Sequence, residues 1–338
     1  MKDNQVLRVG IHGLGRIGRT FLRASLQYSS FQVVVACDIS DEATMHHLVK
    51  YDSIHGRCDE IQRNESGEWS LAGQSIRFYQ KTTKEETPPW ENWKVDVVLE
   101  STGHWKSRAK LTQHLNRGVK KVLLSSPSEE EDIPMVVMGI NNGIIHHDDI
   151  VSCASCTTNS AAHMIELIHA QCQIESCYIT TVHSYTGDQR LHDAPHKDLR
   201  RSRGALQSIV PTSTGAAKAL TRIFPELAEN MGGCGMRVPV PDGSLTDITS
   251  IVKNPRTIAQ INDAFYEATQ TKWKGLVQFT SDPIVSSDVI GNAHSCVFDS
   301  SLTSVIGNMV KVVGWYDNEV GYSHRLCDVM KCWADEKI

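Results

Sequence analysis

The residues VLRVGIHGLGRIGRTFLRASL, 6 to 26, constrain the fold of this chain more than any other stretch. Val6 to His12 reads as a short buried strand, Gly13-Leu14-Gly15-Arg16-Ile17-Gly18 breaks it, and Arg19 to Leu26 continues as a helix with apolar Phe21, Leu22 and Leu26. A second apolar run, Phe31 to Cys37, ends at Asp38, twenty residues after Gly18. A G-x-G-x-x-G alone is common in loops. Between a strand and a helix, with an acidic residue closing the next strand, it is the dinucleotide fingerprint. Gly13 permits the tight turn, Gly15 lets backbone amides approach a pyrophosphate, and Gly18 allows close helix–strand packing. The pyrophosphate belongs at the helix N-terminus, where free N–H groups and the dipole favour an anion. Asp38 would accept hydrogen bonds from ribose hydroxyls and repel a 2′-phosphate, which favours NAD over NADP.

Further apolar runs follow at Val95–Glu100, Lys121–Ser125 and Pro134–Ile140, and continuous apolar strands are what a parallel sheet covered on both faces requires. The first 150 residues or so therefore read as an open α/β nucleotide fold. Beyond them, strand candidates at Cys177–Ser184, Gly235–Pro239, Leu245–Lys253 and Val310–Tyr316 point to a mixed or antiparallel sheet. Two domains are expected for 338 residues. The segment Gly187–Ser208 is polar and basic without periodicity and reads as a long functional loop. A net charge of −5 gives no footprint for nucleic acid or an anionic membrane. No apolar run has the ~18 residues of a spanning helix, and MKDNQVLRVG is too polar for a signal peptide. Ten scattered cysteines without paired spacing read as reduced thiols, and the chain is expected to be cytoplasmic.

The chemistry concentrates around Cys156. A helix is expected over Asn159–His169, with Thr157, Thr158 and Asn159 as capping groups, so Cys156 lies at or just before its N-terminus. The partial positive charge there favours thiolate over thiol, and neighbouring amides can hold an oxyanion. Among fifteen histidines His183 stands out, because it ends the apolar strand YITTVH and opens a polar loop. Lys197, Arg200, Arg201 and Arg203 form a basic cluster, Ser213-Thr214-Gly215 precedes a helix-like segment, and Arg237 stands inside a strand candidate. All are candidate anion binders. No second cysteine–histidine pair stands at a zinc-like spacing beside Cys153 and Cys156, so no metal is expected.

Taken together, the blocks GLGRIGR, HHLVKYDSIHGR, VLESTG, GVKKVLLSSPS, ASCTTN, TTVHSYTGDQRLHDAPHKDLRR, VPTSTGAAKA, MRVPVP and WYDNEVGYSHR resemble the phosphorylating glyceraldehyde-3-phosphate dehydrogenase family from end to end. The resemblance implies a Rossmann-type NAD-binding domain over 1–155, completed by a C-terminal helix at about 320–338. An α+β catalytic domain with a mostly antiparallel sheet would span 156–319. It implies Cys156 as nucleophile and His183 as its base. Ser155, Thr157, Thr214, Gly215 and Arg203 would bind inorganic phosphate, and Thr186, Asp188 and Arg237 would surround the phosphate of an aldehyde substrate. Gly13, Arg16, Ile17 and Asp38 would hold NAD, with Ser125 beside it, Asn318 on the nicotinamide carboxamide and Tyr322 near the ring. Ile39 and Pro195 fit NAD preference. Members are typically cytosolic homotetramers in which the loop of about 184–207 reaches a neighbour's cofactor.

The chain departs from the family pattern at several points. His12 replaces the usual Asn, Leu14 the usual aromatic, RVPVPDG replaces R-V-P-T-P-N-V, and Val320 replaces Trp. The cysteine common four residues after the nucleophile is Ser160, whereas Cys153 stands three before it. The alternatives within this pattern are an erythrose-4-phosphate dehydrogenase, whose relatives usually depart from the S-T-G-A-A-K intact here at 213–218, and a non-catalytic binding paralogue. Cys153 is expected to fill a small buried slot, or else to act as a resolving thiol for oxidised Cys156.

Overall fold

The computed structural model describes residues 6–128 and 130–338. The chain divides into two units, one formed by Met1–Val136, Asn142–Ala154 and Ser323–Ile338, the other by Val137–Asn141 and Ser155–Tyr322.

The sheet of the first unit runs Ile150–Ser152, Lys121–Leu124, Val97–Glu100, Leu7–His12, Phe31–Asp38, Gln74–Gln80, all parallel. Trp69–Leu71 and Ile61–Arg63 extend one edge antiparallel. Counted along the chain, the parallel strands lie in the order 3-2-1-4-5-6 of the dinucleotide-binding fold, with the switch point between Leu7–His12 and Val97–Glu100. Val9, Ile11, Val35, Val97, Val98 and Leu99 are fully buried, as both-face coverage demands. The C-terminal helix Val320–Glu336 places Leu326, Cys327, Met330 and Trp333 in the interior. Tyr28 donates to Asp328 at 3.0 Å, and Trp333 Nε1 to the Ile145 carbonyl at 3.2 Å.

The expected strand Pro134–Ile140 does not form. Only Met135 bridges, to Ser152, and the sixth strand is Ile150–Ser152 instead. Pro134 has no N–H to give a ladder, and from Val137 the chain turns. Asn141 Oδ1 caps the Val137 N–H at 2.7 Å, and Gly139 takes a φ of +86°.

The sheet of the second unit has the order Val210–Thr212, Met231–Val238, Ile174–Ser184, Ser244–Val252, Met309–Tyr316, Cys296–Asp299, Val277–Thr280, with Ser304–Ile306 also paired to Met309–Tyr316. Most neighbours are antiparallel. The exceptions are Ile174–Ser184 with Met231–Val238, and Val277–Thr280 with Cys296–Asp299. Ser244–Val252 alternates buried and part-exposed residues, the signature of one covered face. The helix Cys156–Cys172 packs on that face, buried from Thr157 through Ile165. Phe265 and Phe298 stack at 3.7 Å between centroids deeper in the same core.

The segment Val137–Asn141 joins this second unit because of His163. Its ring is fully buried and bridges the Asn159 carbonyl at 2.9 Å and the Met138 carbonyl at 3.0 Å, while Trp273 Nε1 reaches the Gly139 carbonyl at 3.4 Å. His163→Ala should cost about 1–3 kcal/mol in urea unfolding, because it leaves a buried carbonyl without its donor. An unchanged midpoint would contradict that role.

Candidate active site

In the first unit the glycine turn forms as its spacing requires. Gly13 has a φ of +100°, and a Cβ there would lie 2.8 Å from the Thr102 nitrogen. A Cβ on Gly18 would lie 2.1 Å from the Gly13 carbonyl, so the helix Arg16–Ala24 can approach the strand only through glycine. Gly15, its N-cap, has no side-chain cap and nothing within 4 Å of a built Cβ. The helix start therefore opens onto free space, as an anion site demands.

Asp38 is oriented by two backbone amides, Leu14 N–H at 2.8 Å and Ser40 N–H at 3.0 Å. Each bond uses one lone pair of a carboxylate oxygen, which leaves acceptor capacity for a diol. A cavity of about 210 Å³ opens here, bounded by Gly13, Gly15, Asp38, Ile39, Lys81 and Thr102. Ser125 follows the strand Lys121–Leu124, and its amide is held by the Glu100 carbonyl at 3.0 Å. Arg16 forks onto Asp52 at 2.6 and 3.2 Å, and Ile17 is half-buried beside it.

In the second unit Cys156 is the first residue of its helix, earlier than the capping residues Thr157–Asn159 suggest. Ser155 is the N-cap, its Oγ accepting the Thr158 N–H at 3.1 Å. The Cys156 sulfur lies 3.5 Å from His183 Nε2. His183 and Arg237 are register partners on adjacent parallel strands, which puts their side chains on one face. Arg237 Nη1 is 2.7 Å from His183 Nδ1, and the Ser184 carbonyl is 2.8 Å from the same nitrogen. A guanidinium only donates and a carbonyl only accepts, so each tautomer makes one of these bonds. With Nδ1 bare, Arg237 donates to it and Nε2–H faces sulfur. With Nδ1 protonated, the Ser184 carbonyl accepts the Nδ1–H hydrogen bond and Nε2 offers sulfur a lone pair.

Burial, and then the Arg237 charge, hold the His183 pKa down at about 3, so the imidazole is neutral. Burial also raises the Cys156 thiol, against the Arg237 charge and the hydroxyl and amide of Thr157, which lower it. The free chain thus holds a thiol against a neutral base, where the helix N-terminus alone predicts a standing thiolate. Tyr316 backs the pair. Its hydroxyl meets Thr157 Oγ1 at 2.8 Å and Thr181 Oγ1 at 3.0 Å, and its ring stands edge-on to His183 at 6.1 Å.

Asn318 Oδ1 accepts from Ser184 Oγ at 2.8 Å and Ser244 Oγ at 2.7 Å, so its NH₂ is the group left to donate. Tyr322, in the first turn of the C-terminal helix, is buried. Thr214 caps the helix Gly215–Ile223, and nothing stands within 4 Å of a Cβ built on Gly215.

Two parts of a family model match the chain. The glyceraldehyde 3-phosphate dehydrogenase NAD binding domain covers residues 7–108, and the C-terminal domain of the same family covers 155–318. Glyceraldehyde-3-phosphate dehydrogenase 1 of Streptomyces avermitilis is 45% identical over 329 residues, 96% of this chain and 97% of the relative. The Mycobacterium avium and Mycobacterium tuberculosis glyceraldehyde-3-phosphate dehydrogenases are 45% and 44% identical over 331 residues, with the same coverage. The chain belongs to the glyceraldehyde-3-phosphate dehydrogenase family.

For this glyceraldehyde-3-phosphate dehydrogenase family member the second unit brings Ser155, Cys156, Thr157, His183 and Arg237 into one neighbourhood. Arg203 stands elsewhere: it is exposed and pairs with Asp193 at 2.9 Å. Arg201 is the arginine turned inward. It donates to Thr212 Oγ1 at 2.8 Å and to Asp188 at 2.6 Å, and its charge is felt by both His183 and Arg237. Asp188 is thereby held by Arg201 and by His196, and Thr186 accepts the turn bond from the Gln189 amide at 2.9 Å. Arg201 is named in the sequence only as one of a basic cluster, and the residues missed altogether are Tyr316, Ser184 and Ser244. Tyr316 stands in the quoted WYDNEVG block, but its role rests on contacts across three strands. Gly18→Ala should abolish measurable dinucleotide binding in a titration of the purified protein, because backbone faces the added methyl at 2.1 Å. Retained affinity would contradict the cradle.

Proposed function

We propose that the protein oxidises glyceraldehyde 3-phosphate in the presence of NAD and inorganic phosphate to 1,3-bisphosphoglycerate, reversibly. The single observation carrying this is Cys156 Sγ, at a helix N-terminus, 3.5 Å from His183 Nε2. His183 takes the thiol proton as sulfur attacks the aldehyde carbon, giving a thiohemiacetal on Cys156. The backbone amides of the first helical turn support its oxyanion. NAD, when bound, would supply the acceptor for the hydride that leaves the breaking carbon–hydrogen bond. Cys156 is left as a thioester, which phosphate attacks, expelling the thiolate and forming the acyl phosphate. His183 serves as base and then acid, a contribution of roughly 10²–10⁴-fold.

In this reading Asp38 holds the adenosine ribose and the Asn318 NH₂ the nicotinamide carboxamide. Arg237 takes the substrate phosphate, with Thr186 beside it and Asp188 acting through its pair with Arg201. An anion on Arg237 draws the guanidinium from His183 Nδ1, and this favours the tautomer that presents a base to the thiol. Ser155, Thr157, Thr214, Gly215 and Arg201 bind the attacking phosphate.

The protein acts as a cytoplasmic homotetramer. Support comes from ten free cysteines and from Leu191, Leu199 and Leu206 in the long loop with Ile209 just after it, each at least 47% exposed. Isolated exposed apolar residues are ordinary, but four within about twenty residues fit a partner surface. Among the described residues no helix is long and apolar enough to cross a membrane.

His183→Asn should lower kcat by about 10²-fold or more and slow alkylation of Cys156 at neutral pH, followed by NADH absorbance and by iodoacetamide labelling. Unchanged labelling would contradict the pairing. Arg201→Ala should raise the KM for phosphate about tenfold while Arg203→Ala leaves it unchanged, and the reverse pattern would restore Arg203 to that role. A substrate panel completes the test: higher kcat/KM for erythrose 4-phosphate would replace the proposed substrate.

A further inference from the structure

Beneath the glycine cradle lies a polar cluster in an otherwise apolar sheet. His12, fully buried at the end of its strand, places Nδ1 2.5 Å from Glu100 Oε2 and Nε2 2.6 Å from Lys81 Nζ. His114 Nε2 lies 3.2 Å from the same Glu100 oxygen, and Trp90 Nε1 donates to His114 Nδ1 at 2.9 Å. The second Glu100 oxygen accepts from the amide and hydroxyl of Thr102 at 2.8 and 2.5 Å.

The donor inventory settles the proton positions. An indole N–H and an ammonium only donate. His114 therefore accepts at Nδ1 and donates Nε2–H to Glu100. His12 accepts from Lys81 at Nε2 and donates Nδ1–H to Glu100. One carboxylate and one ammonium are thus joined through a neutral imidazole, with every bond matched. The group of two histidines and a glutamate is not a cation site, since its lone pairs are taken and an ammonium stands against the ring.

Lys81 connects this cluster to the dinucleotide cavity. The residue is 4% exposed, and Nζ also donates to the Lys84 carbonyl at 3.2 Å, which Trp105 Nε1 reaches at 3.3 Å. Its own amide donates to the Asp38 carbonyl at 2.7 Å. One residue therefore grips the turn Lys81–Lys84 by its side chain and the end of the Asp38 strand by its backbone. Lys81 and Lys84 line the cavity of about 210 Å³ together with Asp38 and Ile39.

We propose that Lys81 is a positioning residue for the dinucleotide: its ammonium, balanced by Glu100 through His12, fixes the cavity wall against which the adenosine end binds. The inference rests on the assignment of Asp38 to the adenosine ribose. The groups facing the ammonium are Glu100, His12, His114, Cys37, Asp38, Glu85, Glu86 and the Trp105 ring, whose centroid lies 5.4 Å away. Burial lowers the Lys81 pKa from the ordinary lysine value, and the carboxylates of Glu100, Glu86 and Asp38 oppose that. Burial also holds the Cys37 thiol well above its ordinary value, so it stays neutral in the same range. The ammonium is lost as pH rises, at lower pH than for an ordinary lysine, so adenosine-end affinity falls on the alkaline side.

The test is calorimetric titration with ADP-ribose, which carries the adenosine end without the nicotinamide. Binding by the wild type and its loss in Asp38→Ala examine the underlying assignment separately. In Lys81→Met, Kd should rise about tenfold at neutral pH, the loss of one charge-assisted hydrogen bond, and become independent of pH up to about 10. Its kcat at saturating NAD should stay within about twofold of wild type. His12→Asn, which restores the residue of the family pattern and removes the bridge, should shift the alkaline fall to lower pH. A Kd in Lys81→Met within about twofold of wild type, or an alkaline slope that survives the substitution, overturns the proposal. A role in packing alone would change the melting temperature without changing that slope. Should Lys81→Met not fold, a wild-type Kd flat from about pH 7 to about pH 10 overturns it equally.

Discussion

The pairing of His183 with Arg237, register partners on adjacent parallel strands, is the constraint from which the catalytic half of the molecule is built. Parallel pairing puts both side chains on one face, and the helix Cys156–Cys172 lies on that sheet with its first residue toward His183. A slip of one residue in Ile174–Ser184 would turn His183 to the opposite face and leave the sulfur without that neighbour. Tyr316 contributes from a third strand, fastening the first helical turn to the sheet through Thr157 and Thr181.

Magnitudes decide how the thiol is activated. A helix N-terminus is worth about 0.3–1 kcal/mol, up to ~2 in favourable buried geometry, which corresponds to at most about 1.5 pKa units. Burial of a titratable group acts with up to about 3–5 units. Desolvation therefore wins at Cys156 in the free chain, and in the proposed mechanism the thiolate arises by transfer to His183. The same burial keeps His183 neutral, with a lone pair on one ring nitrogen.

Where a feature rests on neighbours in the chain, it was legible in the sequence. The glycine turn, the Asp38 strand end and a helix N-terminus close to Cys156 depend on residues only a few positions apart, and each leaves a pattern, although the cap is Ser155 and not Thr157–Asn159. Features that depend on partners distant in the chain were not legible. Arg200, Arg201 and Arg203 look equivalent in sequence, and only the positions of Asp188, Thr212 and Asp193 turn one inward and another to the surface. Apolar Pro134–Ile140 matched a strand, yet a proline, a left-handed glycine and the anchors at His163 and Trp273 bend it into a turn of the other unit. His12 looked like a mere departure from the family pattern; its meaning required Lys81, Glu100 and His114 around it.

The two cysteines three apart have opposite environments. Cys153 is fully buried, and burial pushes its thiol up to about 12, so it is neither accessible nor ionised in this state. Cys156 is partly exposed beside a base. The direct test of the central claim is mass spectrometry of the protein mixed with glyceraldehyde 3-phosphate and NAD in the absence of phosphate. The account predicts one acyl group per chain on Cys156, accompanied by stoichiometric NADH and discharged by added phosphate. NADH formation with no acyl group on Cys156, or with the group on another residue, would contradict it.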